Sequence, residues 1–241
     1  MKNAILTLFF LSLLVSNPLC AQEAESGTRG SGGITLKNGG MRRGEQLYLG
    51  PGANGFLGLG GKNMEASLWG EGAAQEDYQS QGFWLGWRGK YFETGLSGRN
   101  EQLDSAFATT TQPTNHLEAN LAVTGDDGEG GWAEFRLTQD LISETKDHWG
   151  AFRLGAVFAG KGADLLLDVG ANGFGNQNQN LYSHSYEAGL GIRIPLTDLG
   201  IQLDLRKAIP ASTEAESRIL TRTGRDQAEA TSISLGIYVV P

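Results

Sequence analysis

Cysteine is all but missing from these 241 residues: Cys20 is the only one. It lies at the end of an N-terminal apolar stretch, so a chain cut after Ala21 keeps no thiol for a disulfide or a thiolate metal site. Proline is scarce as well, 6 residues against 36 glycines. That glycine load is high for a helical protein and ordinary for strands and turns. Beyond the N-terminal stretch, no apolar run reaches the 18 or so residues that a membrane-spanning helix needs. Basic residues are outnumbered, 19 Lys and Arg against 27 Asp and Glu, for a net charge of -8. Nucleic acid is therefore excluded as a partner, because phosphate binding needs concentrated Lys and Arg. There are 3 histidines, His116, His148 and His184, with no pair at zinc-ligand spacing beside a Glu.

Lys2, the apolar run Ala4 to Val15 and the small residue Ala21 read as a secretory signal peptide over 1–21. Lipidation at Cys20 is the weaker alternative, because Pro18-Leu19 stands where lipoprotein signals carry small residues. Residues 22–43 are polar and rich in glycine and read as a flexible lead-in, with Ile34-Thr35-Leu36 as a short strand at most. The remainder, 44–241, is expected to be one domain.

What the chain does have is alternation. In Ala228 to Val240, Thr231, Ile233, Leu235, Ile237 and Val239 fall on one face and Ala230, Ser232, Ser234, Gly236 and Tyr238 on the other. The same split runs through His116 to Thr124, Trp132 to Thr138, Ala151 to Ala159, Asp164 to Ala171, Tyr182 to Ile194 and Leu199 to Lys207. Gly82 to Arg88, Tyr91 to Gly98 and Met64 to Trp69 follow it less strictly; Gln46 to Leu49 and Asn54 to Gly60 are short and glycine-rich. Short turns, such as Gly160-Lys161-Gly162 and Pro195 to Asp198, take turns with long polar segments. Those are Glu71 to Ser80, Arg99 to Asn115, Gln139 to His148, Asn172 to Asn180 and Ala208 to Gln227. The pattern predicts an all-β, antiparallel up-and-down barrel of about twelve strands, with ten as the fallback, and both termini on the short-turn rim. Trp69, Tyr91, Trp149 and Tyr182 stand near strand ends, where membrane-interface girdles form.

From about Glu45 to Pro241 the chain resembles a small bacterial outer-membrane β-barrel. The stretch Ile192-Arg-Ile-Pro-Leu-Thr-Asp-Leu-Gly-Ile-Gln-Leu203 is similar to the strand, Leu-Thr-Asp turn and strand of periplasmic hairpins in that class. The resemblance implies residence in the outer membrane, with outer-membrane lipid and the barrel-assembly machinery as partners. The chain departs from the class by ending Ile237-Tyr-Val-Val-Pro241 instead of in an aromatic residue. A soluble periplasmic or secreted β-barrel binding protein is the alternative, with the apolar set turned inward.

No catalytic residue, cofactor or metal ligand is assigned. Gly155 to Gly162 imitates a phosphate loop but lacks the Ser or Thr and the helix that must follow. Asp126, Asp127 and Glu129 form a solvated turn better than a calcium loop. Ser183, His184 and Ser185 are strand neighbours that point apart, so a lipid hydrolase would have to assemble its Ser and His from different strands. The residues of interest are the charges on the polar face: Glu118, Glu134, Arg136, Arg153, Asp164, Asp168, Glu187, Arg193, Asp204 and Arg206. Opposite charges that face each other across adjacent strands are expected to pair: Glu187/Arg193 and Asp204/Arg206 bracket one hairpin, and Glu134/Arg136 faces Arg153 across another. Such a face suits a narrow channel for small polar solutes, or a non-catalytic barrel whose ion pairs replace an apolar core.

Overall fold

The computed structural model describes residues 29–74, 77–104, 114–127, 129–144, 146–223 and 225–239. The expected leader, 1–21, and residues 22–28 lie outside them. The strands are β1 (Arg29–Arg42), β2 (Glu45–Gly60), β3 (Met64–Ala73), β4 (Asp77–Arg88), β5 (Phe92–Asp104) and β6 (Thr114–Asp126). They continue as β7 (Gly131–Asp140), β8 (His148–Ala159), β9 (Asp164–Asn176), β10 (Gln179–Pro195), β11 (Leu199–Pro210) and β12 (Ala230–Val239). A helix, α1 (Thr213–Thr223), lies between β11 and β12. Every strand pairs antiparallel with its sequence neighbours, and β1 pairs with β12, so twelve strands close into a barrel. Closure leaves no sheet edge, which is the condition for a sheet to sit in hydrocarbon.

The alternation decides which way each side chain faces. Leu36 of β1 stands opposite Leu235 of β12, Leu235 opposite Leu203, Leu203 opposite Ile192, Ile192 opposite Leu165, and Leu165 opposite Phe158. These side chains form an unbroken row half-way round the outside and are 39% to 59% exposed. Covering each one with acyl chains contributes on the order of 1 kcal/mol; water would leave that contribution unrealised. One residue along, the facing pair is Ser234 and Asp204, on the enclosed side. The aliphatic set is thus outside and the ionised set inside, the arrangement of a membrane barrel.

The described N-terminal residue, Arg29, and Val239 lie on the rim that carries the short connections 61–63, 89–91, 127–130, 160–163 and 196–198. The opposite, loop rim carries 74–76, 105–113, 141–147, 177–178 and 211–229, and also the β1–β2 turn.

Three expectations need correction. The flexible lead-in expected over 22–43 is, from Arg29 onward, the first barrel strand; its glycines pack against neighbours such as the Phe56 ring, which a Cβ on Gly33 would meet. Second, two of the long segments are mostly strand: β3 and β4 leave only 74–76 between them, and β9 and β10 leave 177–178. Third, most of the aromatics assigned to a girdle point inward. Trp149 packs on Phe174 and His184, Tyr182 packs on Phe174, and Trp69 shares its face with Glu65 and Glu71. Tyr91 is half exposed on the short-turn rim, near the Trp87–Phe92 pair.

Candidate functional site

The β1–β2 hairpin does not stay in the wall. Pairing of β1 with β12 ends at Asn38 and Ile233, and the β1–β2 register slips between Asn38 and Gly40 and again before Met41. Gly39 and Gly50 have φ of 92° and 79°, values that side-chain-bearing residues rarely adopt. A Cβ on Gly40 would run into the Tyr48 ring. These features bend the tip of the hairpin into the lumen. The turn itself is Arg43-Gly44, with φ of 53° and 80°, the positive values that a tight two-residue hairpin turn requires.

The tip reaches the opposite wall. Arg42 Nη2 donates to both carboxylate oxygens of Glu101 on β5, at 2.8 and 3.1 Å. Arg43 donates through Nη1 and Nη2 to the two oxygens of Glu118 on β6, at 3.1 and 2.8 Å, and its guanidinium lies over the Trp149 ring of β8, 5.1 Å from the centroid. Glu45 Oε1 is 2.9 Å from Nε2 of His184, a fully buried ring on β10. Bidentate guanidinium–carboxylate pairs fix orientation as well as distance, so the tip is held in one pose across the barrel.

Bending the hairpin frees backbone groups from the β1–β12 ladder, and an orphaned buried group costs about 1–3 kcal/mol. Gln46 takes up several: its Nε2 donates to Gly40 O and Tyr48 O, and its Oε1 accepts from Thr231 N. Ser232 Oγ donates to Gly39 O, while Arg225 donates to Gln46 O and Leu47 O. Arg225 follows α1, which packs over this rim against β2, β10 and β11 with Ala215 and Ile219 buried. Ser212 Oγ accepts from Ala215 N and caps the helix. Arg218 of α1 lies over the Tyr182 ring, 4.2 Å from its centroid. A hydrogen bond to Tyr182, then one to Glu214, raises the Arg218 guanidinium above its ordinary value.

Below the hairpin the wall is lined with ion pairs, and nine of the ten charges singled out from the sequence form them, Asp204 being the one bonded to an amide instead. Arg153 donates to Glu187, Arg206 to Asp168, Arg193 to Asp164, and Arg136 to both Glu134 and Glu93. Glu118 holds Arg43 and also faces Arg99, while Asp204 accepts from Gln202. The expected cross-strand partners are met in part. Across the β10–β11 hairpin Arg206 comes within 3.9 Å of Glu187 but bonds Asp168 of β9 more closely, and Glu187 bonds Arg153 of β8. Arg193 turns to Asp164, directly opposite it on β9, and Asp204 takes Gln202. Glu134 stands opposite Arg153 in register, but its carboxylate goes to Arg136 on its own strand.

Sequence reasoning overlooked Arg42, Arg43 and Glu45, together with Lys37, Glu71, Glu93, Arg99 and Glu101. The signal was the Arg-Arg-Gly-Glu run after a glycine pair: a positive-φ turn residue flanked by charges.

The look-alike motifs resolve into structure. Gly160 to Ala163 is the turn between β8 and β9. Asp127 Oδ1 accepts from the backbone of Glu129 and Gly131, closing its own turn. His116 comes close to Glu118 and Asp140, with ligand atoms within 4.8 Å of one another. Those carboxylates are already engaged, Glu118 by Arg43 and Asp140 by His116 and the amides of Ile142 and Ser143.

No family model matches the chain, and no curated protein matches its sequence. Solved structures do match. The KdgM porin superposes with a TM-score of 0.53 at 7% identity, over 88% of this chain and 99% of that one. LpxR from Salmonella typhimurium gives 0.51 at 11% identity, over 88% of this chain and 100% of the other. An outer-membrane channel from Pseudomonas putida F1 gives 0.50 at 8% identity, over 93% and 99%. At these identities the likeness is one of fold, and the fold is that of outer-membrane β-barrels.

Proposed function

We propose that the protein is a narrow channel for small polar solutes in the outer membrane, with the tip of the β1–β2 hairpin as its constriction. The observation that carries this reading is the character of the lumen. Ion pairs and hydrogen-bonded amides line most of it, with inward aromatic packing gathered around the hairpin (Tyr48 on Tyr78, Trp149 on Phe174), and a cavity of about 330 Å³ lies against Arg43, Arg136, Arg153 and Trp149. A wall of this kind stays hydrated, and water is what a polar solute needs along its path. Twelve strands make a narrow bore, so large solutes are excluded even before the hairpin narrows it.

The reading is non-catalytic and involves no cofactor. His184 Nε2 is engaged by Glu45, and the neighbouring Ser185 hydroxyl accepts from Asn172, so these residues do not form a nucleophile–base couple. Export by a cleaved signal peptide over 1–21, insertion by the barrel-assembly machinery and contact with outer-membrane lipid belong to the same proposal. A second reading is a closed barrel that serves as an anchor. The hairpin across the lumen and α1 over the rim favour it.

Reconstitution in planar bilayers separates the two. Discrete single-channel steps are expected of the channel. A correctly folded barrel that stays silent at every voltage supports the anchor.

A further inference from the structure

In most pairs of the lumen network the acid lies deep and the base reaches out. Arg153 is 30% exposed and its partner Glu187 3%; Arg43 is 21% exposed and Glu118 8%. Arg136 is 33% exposed against 13% for Glu93 and 23% for Glu134. Arg206 with Asp168 and Arg193 with Asp164 follow the same order. Arg99, wedged between Glu101 and Glu118, and His184 beside Glu45 are exceptions. The reason is side-chain length. A carboxylate on a short stem stays against the wall, whereas the longer arginine stem carries its guanidinium further into the lumen, where part of it stays open to water. Arg153 bonds Glu187 through Nη2 alone, while Arg136 is the most engaged, with Nε and Nη2 on Glu134 and Nη1 on Glu93.

Three of these arginines meet at one place. Arg43 from the hairpin, Arg136 from β7 and Arg153 from β8 line the same 330 Å³ cavity, with Thr138, Asn172 and Trp149 completing the wall and Glu134 as the acid among the lining residues. The volume is within the range of small-ligand sites. From these observations we infer that the cavity is an anion site, suited to a small carboxylate or phosphate held by guanidinium edges. The site stands on its own geometry. Its corollary, that the open pore prefers anions, rests on the channel reading above. Formal charge argues the other way, since the chain carries -8 and carboxylates are plentiful on the enclosed wall. Reach decides instead, because an ion in the lumen meets the groups nearest to it at the shortest distance and with the least screening.

Two measurements test this. The first is the reversal potential of the reconstituted protein in a potassium chloride gradient, for the native chain and for Arg136→Gln and Arg153→Gln, each checked for heat-modifiable gel mobility. A chloride-selective potential that moves toward zero in both variants supports the inference. Steady conductance with potassium selectivity, or with none, overturns the pore's anion preference and leaves the channel intact. The second needs neither conduction nor a charge variant. Tryptophan fluorescence of the native protein and of Trp149→Phe in detergent is titrated with iodide and, at matched ionic strength, with caesium. The expected result is an iodide-quenched component that caesium spares and that Trp149→Phe removes. If iodide has no advantage at Trp149, the site is overturned. If the advantage is present in a barrel silent in bilayers, the site stands and the channel reading falls.

Discussion

Arg43, at the turn between β1 and β2, makes two parallel hydrogen bonds to Glu118 on β6, so that one side of the barrel is tied to the other through its lumen. Glu118 is 8% exposed and also faces Arg99, 3.6 Å away. Replacement by Gln leaves two guanidinium groups short of a counter-charge. Breaking a buried pair by removing one partner costs about 3–5 kcal/mol. Glu118→Gln should therefore lower the temperature at which the folded gel band converts to the unfolded one. An unchanged midpoint would mean that the hairpin is held by other contacts.

The turn residue is also a sensitive position. Gly44 has a φ of 80°, and a Cβ there would collide with the Ser185 side chain. Gly44→Val should lift the tip from the far wall while leaving the twelve-strand ladder intact. Larger or noisier single-channel conductance, with gel mobility preserved, is the expected result. Conductance equal to that of the native chain would show that the hairpin is not the constriction.

Arg225 supports the base of the same hairpin through its bonds to Gln46 O and Leu47 O. Arg225→Ala withdraws both donors, at about 1–3 kcal/mol for each acceptor left unsatisfied. Faster hydrogen exchange confined to the hairpin and the neighbouring end of β12 is expected. Uniformly faster exchange around the barrel would assign Arg225 a global role instead.

The two faces of β11 should respond in opposite ways to the same charge. Leu203→Arg places a guanidinium among acyl chains, at about 2–4 kcal/mol if it sits near the bilayer midplane. Gln202→Arg adds one to a wet lumen beside Asp204. Urea unfolding in lipid vesicles should show a large loss for the first and a small one for the second. Equal losses would remove the distinction between the faces.

How much of this was legible in the sequence depends on where water is. From β6 to β12 one face meets lipid and the other water, so strands such as Leu199–Pro210 alternate cleanly. Toward the loop rim the outward face turns polar, as at the exposed Gln79, while the inward Tyr78 and Ser80 are buried beneath the hairpin, so the alternation fades although the ladder continues. This is why the stretch from Glu71 to Ser80 reads as loop while β3 and β4 run through most of it. β1 was obscured by its glycines, several of which are required by close packing or by the bend at Gly39. α1 had a readable signal in Ser212, Glu214, Glu216 and the buried Ala215 and Ile219 four residues apart, set within a segment whose polarity suggested a loop. The enclosed charges were legible one by one from alternation. Their partners were legible only in part, as for Arg206 near Glu187, because pairing depends on exact register between strands and on a hairpin that leaves the wall.

The account depends most on which face of the sheet meets lipid. Cys20 is the only cysteine in the chain, so single spin labels can be attached after Leu203→Cys or Gln202→Cys in a protein cleaved, or otherwise freed, of that thiol. Power-saturation measurements in reconstituted vesicles compare collisions with oxygen, which concentrates in acyl chains, and with a water-soluble nickel chelate. The account predicts that the label at 203 favours oxygen and the label at 202 favours nickel. The reverse order would place the leucines at the centre of the barrel and contradict it.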